Sequence, residues 1–134
     1  MNTVIFACVH NAGRSQMAAA WFNELADPAK ARALSAGTEP GPRVHPEVLV
    51  AMQEVGLDLS RAKPALLTEA MIAGARLLVT MGCGEACPVA PKSVVRDDWP
   101  LEDPKGKPLE RVREIRDDVR LRIATLIREQ GWGR

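Results

Sequence analysis

The chain has no tyrosine, and its aromatic residues are three tryptophans and two phenylalanines. That scarcity argues against a surface built to stack bases. It also lacks an excess of either charge: 18 lysines and arginines stand against 17 aspartates and glutamates, a net charge of +1. Such a chain has no field to draw in nucleic acid or an anionic membrane, and neither is expected as a partner. No apolar run approaches the roughly 20 residues of a membrane span. The N-terminus enters a strand-like segment directly, with no signal peptide, so the expected localisation is cytoplasmic. Three cysteines is an odd count for a disulfide scaffold. In a reducing compartment they point instead to catalysis or metal binding. Repeats, low-complexity tracts and linkers are absent, and 134 residues suit one domain, residues 1–134, with one core.

What is present is an alternation of strand-like and helix-like segments. Val4-Ile5-Phe6-Ala7 reads as a buried parallel strand. A helix is expected over residues 15–26, with Met17, Ala18, Trp21, Phe22 and Leu25 on its core face. Residues 31–36 read as a second strand ending at Gly37, and residues 38–44, with two prolines and a glycine, as a loop. Pro46 opens a helix that Gly56 closes, with His45 just before it. A short helix is expected over residues 66–73, a buried strand over 76–81 and a shorter strand over 93–96. From Pro108 onward Leu109, Val112, Ile115, Val119, Ile123 and Leu126 recur at helical spacing, and the Glu and Arg run between residues 110 and 122 reads as that helix's solvated face. The expected fold is α/β: a three-layer domain in which a four-stranded parallel sheet carries helices on both faces. In such sheets the active site lies beyond the carboxyl ends of the strands.

Cys8 stands at one of those ends. After it come Val9, His10, Asn11, Ala12, Gly13, Arg14 and Ser15, and then a helix. Asn11 and Gly13 tolerate left-handed backbone, so the loop can curl until its amide N–H groups converge on one spot. The helix N-terminus adds its positive dipole end there. Arg14 closes the ring with a planar, two-pronged donor suited to a tetrahedral oxyanion. Cys8 at the bottom feels that positive potential, which favours the nucleophilic thiolate, and the Ser15 hydroxyl can donate to its sulfur. These residues describe a covalent-nucleophile site for a phosphate-like dianion.

The other thiols, Cys83 and Cys87, follow the third strand-like segment, at the same end of the sheet. With no histidine nearby they supply too few ligands for a closed metal site, so no metal is expected, and nothing in the chain calls for a cofactor. All three thiols instead suit one exchange chain, because oxidation of a nucleophile needs a resolving thiol. In a regular helix Cys83 and Cys87 would hold their Cβ atoms roughly 5–6 Å apart, whereas a disulfide needs about 3.8 Å. Gly82 and Gly84 supply freedom, and Pro88 disfavours helix at Cys87. The segment reads as one built to rearrange.

The string Cys8-x2-Asn11-x2-Arg14-Ser15-Gln16-Met17-Ala18 resembles the nucleophile loop of the low-molecular-weight tyrosine phosphatases and, more closely, of the arsenate reductases that share their fold. With Cys83 and Cys87 the chain resembles the three-cysteine reductases over nearly its whole length. The resemblance implies a relay. Cys8 attacks arsenate, Cys83 attacks Cys8 and releases arsenite, and Cys87 attacks Cys83. The resulting Cys83–Cys87 disulfide would be recycled by thioredoxin or another thiol reductant. Among the carboxylates Asp97, Asp98, Glu102 and Asp103, composition makes no choice. The string Trp-x3-Asp-Pro resembles the family's acid loop and selects Asp103 as the proton-handling group. The phosphatase branch continues there with aromatic residues, whereas this chain continues Lys105-Gly106-Lys107, which favours the reductase. The alternative is a phosphomonoester phosphatase with a Cys8 phosphoenzyme. A further alternative, a non-catalytic anion or redox sensor, fits poorly with a complete catalytic set. Some members of the family bind potassium beside the nucleophile loop, and at the matching positions this chain has Ala19, Lys63 and Ala65. The expectation is that the Lys63 ammonium replaces the ion and hydrogen-bonds Asn11 or its surroundings. His10, unusual for the loop, is expected at its rim.

Overall fold

Val4, Ile5, Phe6 and Ala7 are all completely buried, as a strand needs to be when both faces of its sheet are covered. In the computed structural model, which describes residues 2–82 and 94–134, they form the middle of β1 (Asn2–Cys8). The chain continues through α1 (Arg14–Leu25), β2 (Ala31–Gly37), α2 (Pro46–Gln53), α3 (Glu69–Ala73), β3 (Leu77–Thr80), β4 (Val95–Asp98) and α4 (Leu109–Gln130). The four strands form one parallel sheet in the order β2-β1-β3-β4. The expected α/β architecture is the observed one.

Alternation along β1 separates the two faces. Val4, Phe6 and Cys8 join the larger core, made with Met17, Trp21 and Phe22 of α1, Val48 and Met52 of α2, and Val112, Val119 and Ile123 of α4. Ile5 and Ala7 join a smaller core with Ile72 of α3, Leu78 and Val94. Phe6 ties the elements together, with ring centroids 6.0 Å from Phe22 and 5.7 Å from Trp99. A fully buried side chain of this kind contributes roughly 1.5–3 kcal/mol.

Several element bounds shift by a few residues from expectation, two of them for a polar reason. The helix expected from residue 66 begins at Glu69, because the Thr68 hydroxyl accepts the Met71 N–H at 3.2 Å and caps it there. Before it, residues 65–67 bond to Gly37: the Gly37 N–H donates to the Ala65 carbonyl and the Leu67 N–H to the Gly37 carbonyl, both at 2.8 Å. The strand expected at 93–96 is β4 at 95–98, an exposed edge strand. Its acidic side chains make local bonds: Asp98 accepts the Thr80 hydroxyl at 2.6 Å, and Asp97 accepts the Trp99 indole N–H at 3.0 Å. Polar side chains of this kind suit a sheet edge. In α2 the last helical residue is Gln53, and Gly56, at φ +80°, lies beyond a further turn. The solvated face of α4 holds one exception. Arg116 is 9% exposed and donates to the Ala51 carbonyl at 2.9 Å and to Glu54 at 3.0 Å, which clamps α4 to α2.

Candidate active site

The loop between β1 and α1 is held from outside by its carbonyl groups. The Thr38, Glu39, Gly41 and His45 N–H groups donate to the carbonyls of Cys8, Val9, His10 and Ala12 at 3.3, 2.8, 2.9 and 2.9 Å. The segment that reads as a simple loop in the sequence is therefore a belt around the nucleophile loop. With the carbonyls turned outward, the N–H groups face inward. Among the described residues, those of residues 10–14 donate to no acceptor, although Asn11 to Arg14 are buried. Buried N–H groups almost always find a partner, and a concave set of them is an anion site.

Asn11 sets the curl. Among the described residues it is the non-glycine residue at positive φ, +51°, and it is fully buried. Its side chain orients the nucleophile by a chain of fixed donors. The Ala65 N–H, which only donates, lies 2.9 Å from Asn11 Oδ1, so the other amide atom is the nitrogen. That nitrogen donates to Ser15 Oγ at 2.7 Å, so the Ser15 oxygen accepts there and its own proton is free. Ser15 Oγ lies 2.8 Å from Cys8 Sγ, with its own proton available for the sulfur. Cys8 itself is 2% exposed.

Arg14, the first residue of α1, is held beside this centre. Its Nη1 donates to the Leu101 carbonyl at 3.1 Å, and its Nη2 stands 3.8 Å from the half-exposed Asp103 carboxylate. Asp103 accepts the Lys105 N–H at 3.0 Å, a local turn that fixes its loop. The loop then presses on the nucleophile loop: a Cβ on Gly13 would lie 2.7 Å from Pro104 Cγ. Gly82 approaches from the end of the neighbouring strand β3, and a Cβ there would lie 2.7 Å from Arg14 Nη1. One small cavity gathers Cys8, His10, Ala12, Gly13, Arg14, His45 and Asp103. His10 sits at its rim, exposed, with Nδ1 3.0 Å from the Glu39 carbonyl.

Lys63 is the departure from expectation. Its side chain is exposed and among the described residues its ammonium makes none of the bonds at Asn11. Gln16 takes that place: its Nε2 donates to the Asn11 carbonyl at 3.1 Å, to Asn11 Oδ1 at 3.2 Å and to the Lys63 carbonyl at 3.4 Å. A buried neutral amide bridges two segments at far lower desolvation cost than a buried ammonium. The same geometry does not fit potassium, because Asn11 Oδ1 is already surrounded by N–H donors, and Ala19 and Ala65 bring no ligating side chain. Gln16 stands in the motif, but its role comes from residue 63, too far along the chain for spacing to reveal. His45 likewise shows in the sequence only as the residue before a helix proline. Cys83 and Cys87 lie outside the described residues.

The low molecular weight phosphotyrosine protein phosphatase family matches residues 3–130. The chain belongs to that family. Within it, an arsenate reductase of Staphylococcus aureus (strain Newman) is 37% identical over 125 residues, covering 90% of this chain and 92% of the relative. A solved thioredoxin-dependent arsenate reductase of Corynebacterium glutamicum superposes with a TM-score of 0.82 at 37% identity, over 96% of this chain and 61% of that one. An arsenate reductase solved in a phosphate-binding state superposes with a TM-score of 0.84 at 34% identity, over 96% of this chain and 98% of that one. Around one small cavity the fold thus gathers a thiol, unpaired N–H donors, a guanidinium and a carboxyl group, the set that attack on a tetrahedral oxyanion would use.

Proposed function

We propose that this protein reduces arsenate to arsenite by a three-cysteine thiol relay, with thioredoxin recycling the oxidised enzyme. The observation that carries the reading is the meeting of Gly82 with Arg14. The residue just before Cys83 abuts the guanidinium that would clamp the oxyanion above Cys8. The similarity to arsenate reductases, one of them thioredoxin-dependent, points the same way.

The Cys8 thiolate attacks arsenic and one oxygen departs as water, with Asp103 handling its proton. The Cys83 sulfur then attacks Cys8 Sγ. A Cys8–Cys83 bond forms, the sulfur–arsenic bond breaks, and its electron pair stays on arsenic, which falls from the +5 to the +3 state. The Cys87 thiolate attacks Cys83 and frees Cys8. Two thioredoxin thiols reduce the Cys83–Cys87 disulfide and become oxidised in turn. From the hydrogen arsenate dianion to neutral arsenous acid and water, the balance takes two protons beyond those on the two thiols consumed.

The test is arsenate-dependent reductant oxidation with thioredoxin, glutaredoxin and mycothiol systems in parallel. Cys8→Ser should abolish turnover, while Cys83→Ser and Cys87→Ser should abolish multiple turnover with any phosphatase side activity intact. Parental turnover by Cys83→Ser with thioredoxin would overturn the relay. The second reading is a phosphomonoester phosphatase, which Cys8, Arg14 and Asp103 around one cavity would serve without the other thiols. Phosphomonoester hydrolysis without arsenate-dependent thiol oxidation would select it.

A further inference from the structure

We infer that His45 is a second proton-carrying group of this pocket, its imidazole in contact with the bound oxyanion in the cavity that Asp103 also lines. As a reaction step, this rests on the reading of the protein as an arsenate reductase. As a contact, it rests on the geometry alone.

The backbone of His45 is pinned between the nucleophile loop and α2. Its N–H donates to the Ala12 carbonyl at 2.9 Å, and its carbonyl accepts the Val48 and Leu49 N–H groups at 3.0 and 3.1 Å. The half-buried side chain therefore starts from a fixed point beside the cavity, which it lines together with Cys8, Arg14 and Asp103. Its Cδ2 lies 3.5 Å from where a Cβ on Gly13 would stand, the same point that Pro104 approaches to 2.7 Å. The imidazole and the acid loop thus close on one spot over the nucleophile loop. Among the described residues the ring nitrogens of His45 have no hydrogen-bond partner, whereas Nδ1 of His10 is 3.0 Å from the Glu39 carbonyl. A ring held at an anion pocket with its donors unused is placed to donate to the anion.

The chemistry leaves work for such a group. Reduction of the dianion takes two protons beyond the thiols, and Asp103 carries one at a time. Histidine is the side chain that takes up and gives up a proton near neutrality. In the step assigned here, Asp103 serves the departing oxygen, and a proton passes from an imidazole nitrogen to an oxygen that stays on arsenic, one of those that must be protonated for arsenite to leave as the neutral acid. No electrons change centres, and the half-buried ring regains its proton from solvent. The charged and titratable groups around the ring are Cys8, His10, Arg14 and Asp103 in the small cavity, and Glu39, Arg43 and Lys105 in the wider pocket that shares His10, Ala12 and His45 with it.

The experiment compares the parent with His45→Gln and His45→Asn, in a background with Cys83 and Cys87 changed to Ser for the binding arm. Asn is a favoured helix N-cap, so it serves if Gln impairs folding. The first readout is the protection of Cys8 from iodoacetamide by inorganic arsenate and phosphate across pH 5–8. Loss of a charge-assisted hydrogen bond should weaken protection about tenfold at the acidic end. The pH dependence contributed by the ring should vanish. The second readout, with all cysteines present, is single-turnover arsenite release, which should slow on the order of a hundredfold. Added imidazole should rescue His45→Ala in part. Protection within twofold of the parent, with an unchanged pH profile, would overturn the inference. If the parent releases no arsenite at all, the reductase reading fails, and the protection profiles still decide whether His45 touches the anion.

Discussion

Gly82→Ala separates two effects that a glycine substitution usually mixes. Gly82 has φ +80°, where an L residue is strained, and a Cβ there would lie 2.7 Å from Arg14 Nη1 and 3.6 Å from the Leu101 carbonyl oxygen. The strain costs about 1–2 kcal/mol, a fall in Tm of roughly 3–8 °C for a chain of this size. Gly56 has the same φ, +80°, with nothing within 4 Å of its would-be Cβ, so Gly56→Ala carries the strain alone. The difference between the two variants is the steric push on Arg14. Optimal carbon–nitrogen contact lies near 3.5 Å or more, so the guanidinium must retreat by roughly 1 Å. It cannot retreat freely, because Nη1 is bonded to the Leu101 carbonyl at 3.1 Å. A displacement of that size at an oxyanion clamp is expected to weaken arsenate and phosphate protection of Cys8, and turnover, on the order of a hundredfold. Gly56→Ala should lose similar stability and keep parental protection. The assay is iodoacetamide modification of Cys8 against anion concentration, with thermal melts of both variants. Parental anion protection in Gly82→Ala, at a Tm lowered as in Gly56→Ala, would refute the contact between Gly82 and Arg14 as a determinant of the site.

Two further outcomes follow from the same contacts. Gln16→Leu leaves the Asn11 carbonyl and Oδ1 without the Nε2 donor and should cost about 1–3 kcal/mol by thermal or urea unfolding, with Cys8 reactivity lowered as the loop loosens. Lys63→Ala should leave both unchanged, and an equal loss in the two variants would show that the ammonium does matter. The Glu54 carboxyl, held below its ordinary value first by its hydrogen bond to Arg113 and then by Arg116, contributes stability that is present above the unfolded pKa and lost as pH falls through the folded one. The stability gap between parent and Glu54→Gln should therefore be open at pH 7 and close as the pH falls below the ordinary glutamate range, and a gap that widens on acidification would refute the sign.

What the chain discloses on its own is local. Cys8, Asn11, Gly13 and Arg14 are legible because a strand end, turn-tolerant residues and a helix start lie within eight positions of one another. The long final helix is legible from its spacing, but Arg116 is not. Its partners Ala51 and Glu54 lie 65 and 62 residues away, and nothing in a charge run marks the one member that is buried. The Lys63 expectation fails in the same manner. Position 63 does reach the loop, through its carbonyl, while the side chain that bridges is Gln16, 47 residues earlier. Asp103 is singled out from its acidic neighbours by resemblance rather than by composition. Its 3.8 Å approach to Arg14 depends on how the loop after β4 folds back over Gly13.

Sheet order explains why these distant pieces meet at one place. From β1 the chain moves to β2 on one side and returns to β3 on the other, so the order β2-β1-β3-β4 reverses direction at the β1–β3 junction. In an open parallel sheet the connections diverge at such a junction and leave a crevice beyond the strand ends. The register there pairs Ala7 with Thr80, and the Met81 N–H donates to the Ala7 carbonyl at 2.9 Å. Cys8 and Gly82 must therefore leave adjacent strands at nearly the same level. Gly82 therefore stands level with the start of the nucleophile loop, with the Arg14 guanidinium against it.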